Sequence, residues 1–430
     1  MKPHSAITSI ALWMALLFAP ALPGYTSTLQ DSPENHLQRG LQFYEKGSLD
    51  QAIAEFRTAI QMSPNQPEPH YSLGNALWDR GDLDGAIAEY QTAIRLQPDF
   101  CEAHNSLGGA LGRKGDLDGS IAEIRTAIRL KPENARAHYN LGYTLSKKGD
   151  PDGAIVEFRT AVQLQPGFAP AHYELGRAFM AKGDVDGAIA ELRKVNDLDA
   201  SFAEAHNGLG EALRQKGDTA GAIAEFRAAL QLQPGYPEAH RNLGVTLGTK
   251  GDLDAAIPEL RAALRLDPND AEAHHGLGVA LALKMDFTGA IAEFRAEVRL
   301  QPNSANSHTS LGNALRVVGN PEEAISEYRT AIDLAPKDSY PLAELGRLYA
   351  TERNPRFRDP SKAMECAQKS VSLSNGKDAY SLDVLAEAYF VNGNYDKAIA
   401  TAERALKLQP GKDWLQRDLE KYRRAKHQQQ

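Results

Sequence analysis

Hydrophobic positions in this chain fall into short runs with helical spacing. The stretch from Pro67 to Pro98, PEPHYSLGNALWDRGDLDGAIAEYQTAIRLQP, carries Leu73, Gly74 and Leu77 in its first half. Its second half carries Ala86, Ile87, Tyr90, Ala93, Ile94 and Leu96. Steps of three and four residues mark one face of an amphipathic helix, not of a strand. Between the runs stands Arg80-Gly81-Asp82, where glycine can close one helix in a left-handed conformation and aspartate can cap the next. The pattern predicts two helices joined by a tight turn.

The same unit then returns. Closing prolines stand at Pro64, Pro98, Pro132, Pro166, Pro234, Pro268, Pro302 and Pro336, all in register with a period of 34 residues, and only Ala200 interrupts them. A proline at the end of the second run blocks its continuation, because the ring lacks an amide proton and clashes with the turn before it. No such unit buries its apolar face alone, so the units must stack into one elongated body. Gly47-Ser48, Gly149-Asp150-Pro151, Gly319-Asn320-Pro321 and Gly393-Asn394 repeat the turn chemistry with variations that preserve a stop and a cap.

With the Leu-Gly pairs from Leu73-Gly74 to Leu345-Gly346 and the Ala-x3-aromatic steps Ala52/Phe56, Ala86/Tyr90, Ala154/Phe158, Ala222/Phe226, Ala290/Phe294 and Ala324/Tyr328, the unit resembles the tetratricopeptide repeat. The resemblance covers about nine-tenths of the chain and implies an all-α fold, an α-solenoid wound as a right-handed superhelix. About eleven repeats are expected over residues 35–410, with a capping helix and tail over 411–430. Arg39 replaces the leucine of later units in the first one, as the outer face of an end unit requires.

Several positions break the pattern: Ser120 at a helix contact, Met285 for the turn glycine, and Glu297 for a small packed residue. Pro258, inside a second helix, predicts a kink or a shortened helix there. Thr351 to Pro360 predicts a lengthened surface turn before a second helix near Pro360 to Leu373, with Asn375-Gly376 closing it.

Residues 1–24 stand outside the array. Met1-Lys2, an apolar run from Ala6 to Ala19 and Ala19-Pro20-Ala21 form the pattern of a secretory signal, too short for a comfortable membrane span. The reading is an exported chain, periplasmic or secreted; the alternative is an anchor over residues 6–19 that would be the one source of membrane contact.

Composition adds exclusions. A net charge of −8 without a basic stripe argues against nucleic acid as a partner. His36, His70, His104, His138, His172, His206, His240, His274 and His308 form a column at the repeat period. Successive copies fall on separate helices roughly 10 Å apart, too far to share a metal, and the column occupies the place where the resemblance puts a packing tryptophan. Cys101 and Cys366 lie too many repeats apart to pair. Acidic residues recur in every unit, whereas a catalytic pair should be singular, so neither catalysis nor a cofactor is expected.

The resemblance implies that first helices line an inner face on which peptide or protein partners bind. By register the inner positions are Tyr71, Asn75, Trp78, Asn105, Tyr139, Asn140, Tyr143, Tyr173, Arg177, Asn207, Arg214, Arg241, Asn313 and Arg316. They suggest aromatic and amide groups for a peptide backbone in the first half, and guanidinium groups for acidic side chains or a carboxylate terminus further on. The Lys/Asn/Asn/Lys/Arg set with which some family members hold a terminal carboxylate is not reproduced. An acidic row at Glu68, Glu102, Glu204, Glu238 and Glu272 also speaks against it, and only Asn140 and Asn242 match an asparagine ladder. The function expected is a non-catalytic interaction scaffold of the cell envelope; the alternative is a structural or self-associating assembly factor tethered at a membrane.

Overall fold

A computed structural model describes residues 31–429, so the expected signal segment lies outside the described residues. Among those residues there are helices and no strands. Contacts divide the chain into two compact units, one ending at Ser201 and the other running from Phe202, where a single body was expected. The division falls beside Ala200, the closing position without proline. Because each repeat packs on its sequence neighbours alone, a stacked array can separate between any two repeats.

The first unit holds α1 (Pro33–Glu45), α2 (Leu49–Met62), α3 (Pro67–Arg80), α4 (Leu83–Leu96), α5 (Cys101–Lys114) and α6 (Leu117–Leu130). It continues through α7 (Ala135–Lys148), α8 (Pro151–Leu164), α9 (Ala169–Lys182) and α10 (Val185–Leu198). The second unit holds α11 (Ala203–Lys216), α12 (Thr219–Leu232), α13 (Pro237–Lys250), α14 (Leu253–Leu266), α15 (Ala271–Leu283), α16 (Phe287–Leu300) and α17 (Ala305–Val317). It ends with α18 (Pro321–Leu334), α19 (Tyr340–Thr351), α20 (Pro360–Leu373), α21 (Ala379–Val391), α22 (Tyr395–Leu408) and α23 (Asp413–Gln429).

The period survives because small residues let the paired helices touch. A Cβ added to Gly74 would stand 2.6 Å from the Tyr90 ring, closer than real carbons approach. Ala86, Tyr90 and Ala93 are accordingly buried on the facing helix. Each buried aromatic of this kind contributes about 1.5–3 kcal/mol through the area it removes from water. Within each unit, first helices also pack on the first helices of the next repeat, as α5 does on α7 and α13 on α15, a contact that successive second helices do not match. The first helices therefore form the inner layer of each stack.

Caps follow the turn chemistry. Asp82, Asp116, Asp150, Asp184, Asp218, Asp252 and Asp286 each accept a hydrogen bond from the backbone amide three residues on. Ser48 makes no such side-chain bond. Met285 takes the left-handed conformation of the turn glycines, with φ of 63° and a side chain 77% exposed. Asn375 and Gly376, at φ of 50° and 64°, close α20 as expected.

Pro258 does not shorten its helix. The helix around it keeps the same 14 residues as its equivalents, Leu253–Leu266, so no shortening occurs. The proline is exposed and lies within the second turn. The carbonyl it deprives of a helical donor belongs to Asp254, four residues earlier, an exposed residue near the helix start, where water can satisfy such a group.

Candidate functional site

Each histidine of the column is held within its own repeat. In nine repeats the Nδ1 atom lies 2.5–2.7 Å from a glutamate Oε2 on the second helix of the same repeat, nineteen residues later, as in His138 and Glu157. In seven of them Nε2 donates, over 2.9–3.1 Å, to the carbonyl of the closing proline six residues before. Both nitrogens of those seven rings are thus committed within the fold and offer no lone pair to a metal. The glutamate partner was missed from sequence, although its signal is visible: each glutamate directly precedes the aromatic or aliphatic residue that packs on the Leu-Gly pair. Burial pushes the Glu191 carboxyl up, but bonds from Lys194 and His172 outweigh it and hold the group below its ordinary value.

Glu297, the odd residue at a packed position, is buried with a purpose. Ser307 donates to its Oε1 over 2.6 Å, and His275 Nδ1 stands 3.0 Å from its Oε2. The carboxylate's hydrogen bond raises the His275 imidazole above its ordinary value, against burial. Serine, histidine and carboxylate meet here, but in the wrong order for nucleophilic catalysis. The serine hydroxyl faces the carboxylate and not the imidazole, so the serine–histidine–carboxylate relay is not formed.

Among the inner-face candidates, the asparagines are used internally. Asn75 and Asn313 accept the hydroxyls of Tyr90 and Tyr328, each over 2.8 Å. Asn140 donates to Asn105 and Asn242 to Asn207, each over 3.0 Å, pairing the first helices of successive repeats. Asn105 and Asn207 are buried. Asn313 reaches Tyr340 as well.

The aromatic candidates do gather. Tyr139 lies against Tyr143 with ring centroids 6.4 Å apart, and against Phe158 and Phe168 behind it. Burial pushes the Tyr139 phenol up to about 12. Tyr143 is 39% exposed, with the Lys147 ammonium 4.8 Å from its ring centre. Next along the row, Arg177 stands 5.8 Å from the Tyr173 ring and donates to Glu174 over 3.1 Å. Burial raises the Glu174 carboxyl despite that partner. Earlier in the unit Tyr71 packs on Phe100, and Arg113 covers Trp78.

The guanidinium candidates of the second unit divide. Arg214 is exposed on α11. Arg241 pairs with Asp270 over 3.0 Å and with Glu272 over 3.4 Å, beside a shallow acidic hollow of about 380 Å³. Arg316 stands 3.5 Å from the buried Glu344. Sequence reading missed the residues beyond Arg316 on the same side of the stack: Glu344 and Arg347 on α19, Tyr380 and Asp383 on α21, and Trp414 on α23. On α19 and on α21 the two residues are spaced by three and share a helix face, and the loosened register after Gly346 hid the stripe from a period-based search.

Sequence profiles described as TPR repeat match residues 40–81, 75–115 and 110–149. Profiles described as tetratricopeptide repeat match residues 139–199, 173–237, 241–305, 305–338 and 379–412. The chain belongs to the tetratricopeptide-repeat proteins.

Proteins of this family are commonly interaction scaffolds. Among solved structures, the tetratricopeptide-repeat chain described here is similar in fold to a chain of the APC/C hetero-tetramer Cut9–Hcn1, at 14% identity, covering 92% of this chain and 91% of that one with a TM-score of 0.50. YrrB, described as a TPR protein with an unusual peptide-binding site, matches at 24% identity over 43% of this chain and 95% of its own, with a TM-score of 0.37. MamA matches at 27% identity over 38% and 95%, with a TM-score of 0.35. Against curated protein sequences no significant match is found. Among the described residues, no helix is long and apolar enough to cross a membrane.

Proposed function

We propose that this tetratricopeptide-repeat protein is a non-catalytic scaffold of the cell envelope that holds peptide or protein partners against its first-helix faces. One observation carries the reading: Tyr139, Tyr143 and Tyr173, with Lys147 and Arg177 over their rings, form an aromatic and cationic surface on successive first helices of the first unit. Such rings give large contact area at low entropic cost and keep a polar end for a peptide. The partners are proteins, not nucleic acid, since the cations there are few and already near carboxylates or rings.

The test is simultaneous replacement of Tyr139, Tyr143 and Arg177 by alanine, followed by crosslinking and mass spectrometry from the native envelope fraction. Loss of specific crosslinks supports the surface as the binding face; an unchanged set removes it. Export is proposed from the pattern of residues 1–24, and N-terminal sequencing of the mature chain should begin shortly after Ala21. The second reading, a self-associating assembly factor, requires mass to rise with concentration in light scattering, whereas a scaffold stays at one mass.

A further inference from the structure

Large apolar side chains that gather in solvent mark a surface that something else covers. Among the described residues only four are more than half exposed, and three of them belong to two successive repeats of the second unit. Leu283 and Val317 close α15 and α17 at equivalent positions and are 63% and 52% exposed. Met285, in the turn after α15, is the most exposed of all, and Val318, in the turn after α17, is 48% exposed. At the register of Leu283 and Val317 other repeats carry Asp79, Arg113, Lys147, Gln215 and Thr249.

The fold gains nothing from two of these residues. Met285 holds the left-handed conformation that glycine holds in the equivalent turns, so its side chain costs backbone energy, and at its exposure it adds no packing. At the register of Val318, Lys114, Lys148 and Lys182 pair over 2.5–2.6 Å with Asp84, Asp118 and Asp152 of the repeat before. Lys284 pairs likewise with Asp254. One repeat later both partners are replaced, by Val318 and Thr288. A bridge between repeats has given way to an exposed valine.

Charge stands beside these side chains. The turns joining first to second helices lie along one edge of the stack, and the lengthened turn from Thr351 to Pro360 is next in line after Val318. Arg356 in that turn stands 3.7 Å from Glu322, four residues past Val318. Phe357 packs on the core and pins the turn, leaving Arg353, Arg356 and Arg358 exposed around it. Among the described residues, no carboxylate pairs with Arg353 or Arg358. On the other side, Lys250 at the end of α13 is exposed, and Ala220 stands where its acid would be. A chain of net charge −8 thus places unpaired cations on both sides of its most exposed apolar residues.

We propose that the turn edge of the second unit docks on an anionic lipid bilayer. Leu283, Met285, Val317 and Val318 enter the interfacial layer, and Arg353, Arg356 and Arg358 meet the headgroup phosphates. Charge complementarity selects this occupant. A protein that only covered the apolar side chains would leave the guanidiniums unused, and a nucleic acid would leave the apolar side chains unused. An anionic bilayer takes both, apolar side chains at the acyl boundary and guanidiniums on phosphate. The sequence confined membrane contact to residues 6–19; this edge belongs to the array itself and leaves the first-helix faces to a partner.

The experiment is cosedimentation of the full chain with vesicles of phosphatidylcholine, alone or mixed with an equal amount of phosphatidylglycerol. One variant combines Leu283→Gln, Met285→Gly, Val317→Gln and Val318→Gln; the other combines Arg353→Gln, Arg356→Gln and Arg358→Gln. All seven positions are exposed, and circular dichroism checks both folds. Residues 1–24 are common to every chain, so differences between chains report the edge. The proposal predicts binding that needs phosphatidylglycerol, weakens with salt, and falls about tenfold or more in each variant. Leu283→Trp supplies a readout at the site itself: brominated acyl chains should quench its fluorescence beyond that of the unaltered chain. Equal binding by all three chains, binding indifferent to phosphatidylglycerol, no binding at all, or no added quenching at position 283 would each overturn it. If the apolar variant instead lowers the mass seen by light scattering without changing vesicle binding, the edge is a contact between copies of the chain and the bilayer proposal fails.

Discussion

The two units share one frame and spend their inner faces differently. Both use the histidine–glutamate clasp, the Leu-Gly contact and the aspartate cap. In the first unit, α7 and α9 turn aromatic rings with cations above them toward the inner side, and Tyr143 reaches solvent. In the second, α19, α21 and α23 present a buried ionic row at corresponding helix positions. A solenoid separates the residues that hold the stack from those that face its inner side, so the second set can change from rings to charges while the first stays fixed.

The strongest way to break this comparison is to remove one charge from the row. Arg347→Ala leaves Asp383 buried without its partner and should cost the second unit about 3–5 kcal/mol. Tyr143→Ala in the first unit removes an exposed ring and should cost about 0.5 kcal/mol or less. The two cysteines report the units separately, since Cys101 is buried in the first and burial pushes the Cys366 thiol up to about 11 in the second. Pulsed thiol labelling in urea should therefore show Cys366 exposed early in the arginine variant and Cys101 unchanged. Equal shifts at both cysteines would mean the units do not unfold independently.

Acidity should separate the units next. Burial pushes the Asp383 carboxyl up to about 7, opposed by Arg347 and assisted by Asp418 and Glu387. The folded value lies above that of an unfolded aspartate, about 3.9, so the folded state binds this proton more tightly. The stabilisation is complete below about pH 4 and is lost as pH rises through about 7. Between those limits the second unit should lose on the order of 2–4 kcal/mol. The urea midpoint followed by Trp414 fluorescence, with Trp13 and Trp78 changed to phenylalanine, should be higher at pH 5 than at pH 8. Asp383→Asn should flatten that difference.

A smaller contrast comes from the Leu-Gly contact. A Cβ on Gly142 would stand 2.8 Å from the Phe158 ring, whereas one on Gly346 would meet Cys366 at 3.3 Å. Gly142→Ala should destabilise the first unit by about 1–2 kcal/mol, overpacking outweighing the gain in helix propensity. Gly346→Ala should be neutral or slightly stabilising. Thermal unfolding of the two variants side by side checks the order.

The smallest effect has the opposite sign. Met285 holds a positive φ that glycines hold in the four turns of the first unit's α3, α5, α7 and α9. Met285→Gly should stabilise the second unit by about 1 kcal/mol, relief of left-handed strain exceeding the added chain entropy of glycine. A lower midpoint would show that the exposed methionine makes a contact worth more than the strain.

The sequence determined the frame by itself. A period of 34 residues, small residues at most close approaches and a proline at most closing positions are local properties, each acting within a repeat or on its neighbour. Even the irregular turn before α20 was legible, because prolines and a loss of apolar spacing are local signals too. The shortening expected at Pro258 does not occur, because propensity says what a residue costs and not where the cost falls, and here it falls on one carbonyl of an exposed residue near the helix start. Tertiary structure alone decided which polar residues are occupied. Asn105, Asn207 and Arg241 read as open binding groups, yet each is held by a partner some thirty residues away. Asp383, which no spacing in the sequence singles out, is buried beside Arg347, thirty-six residues back. A hydrogen bond between stacked helices depends on side-chain direction across the stack, and spacing along the chain does not encode that direction.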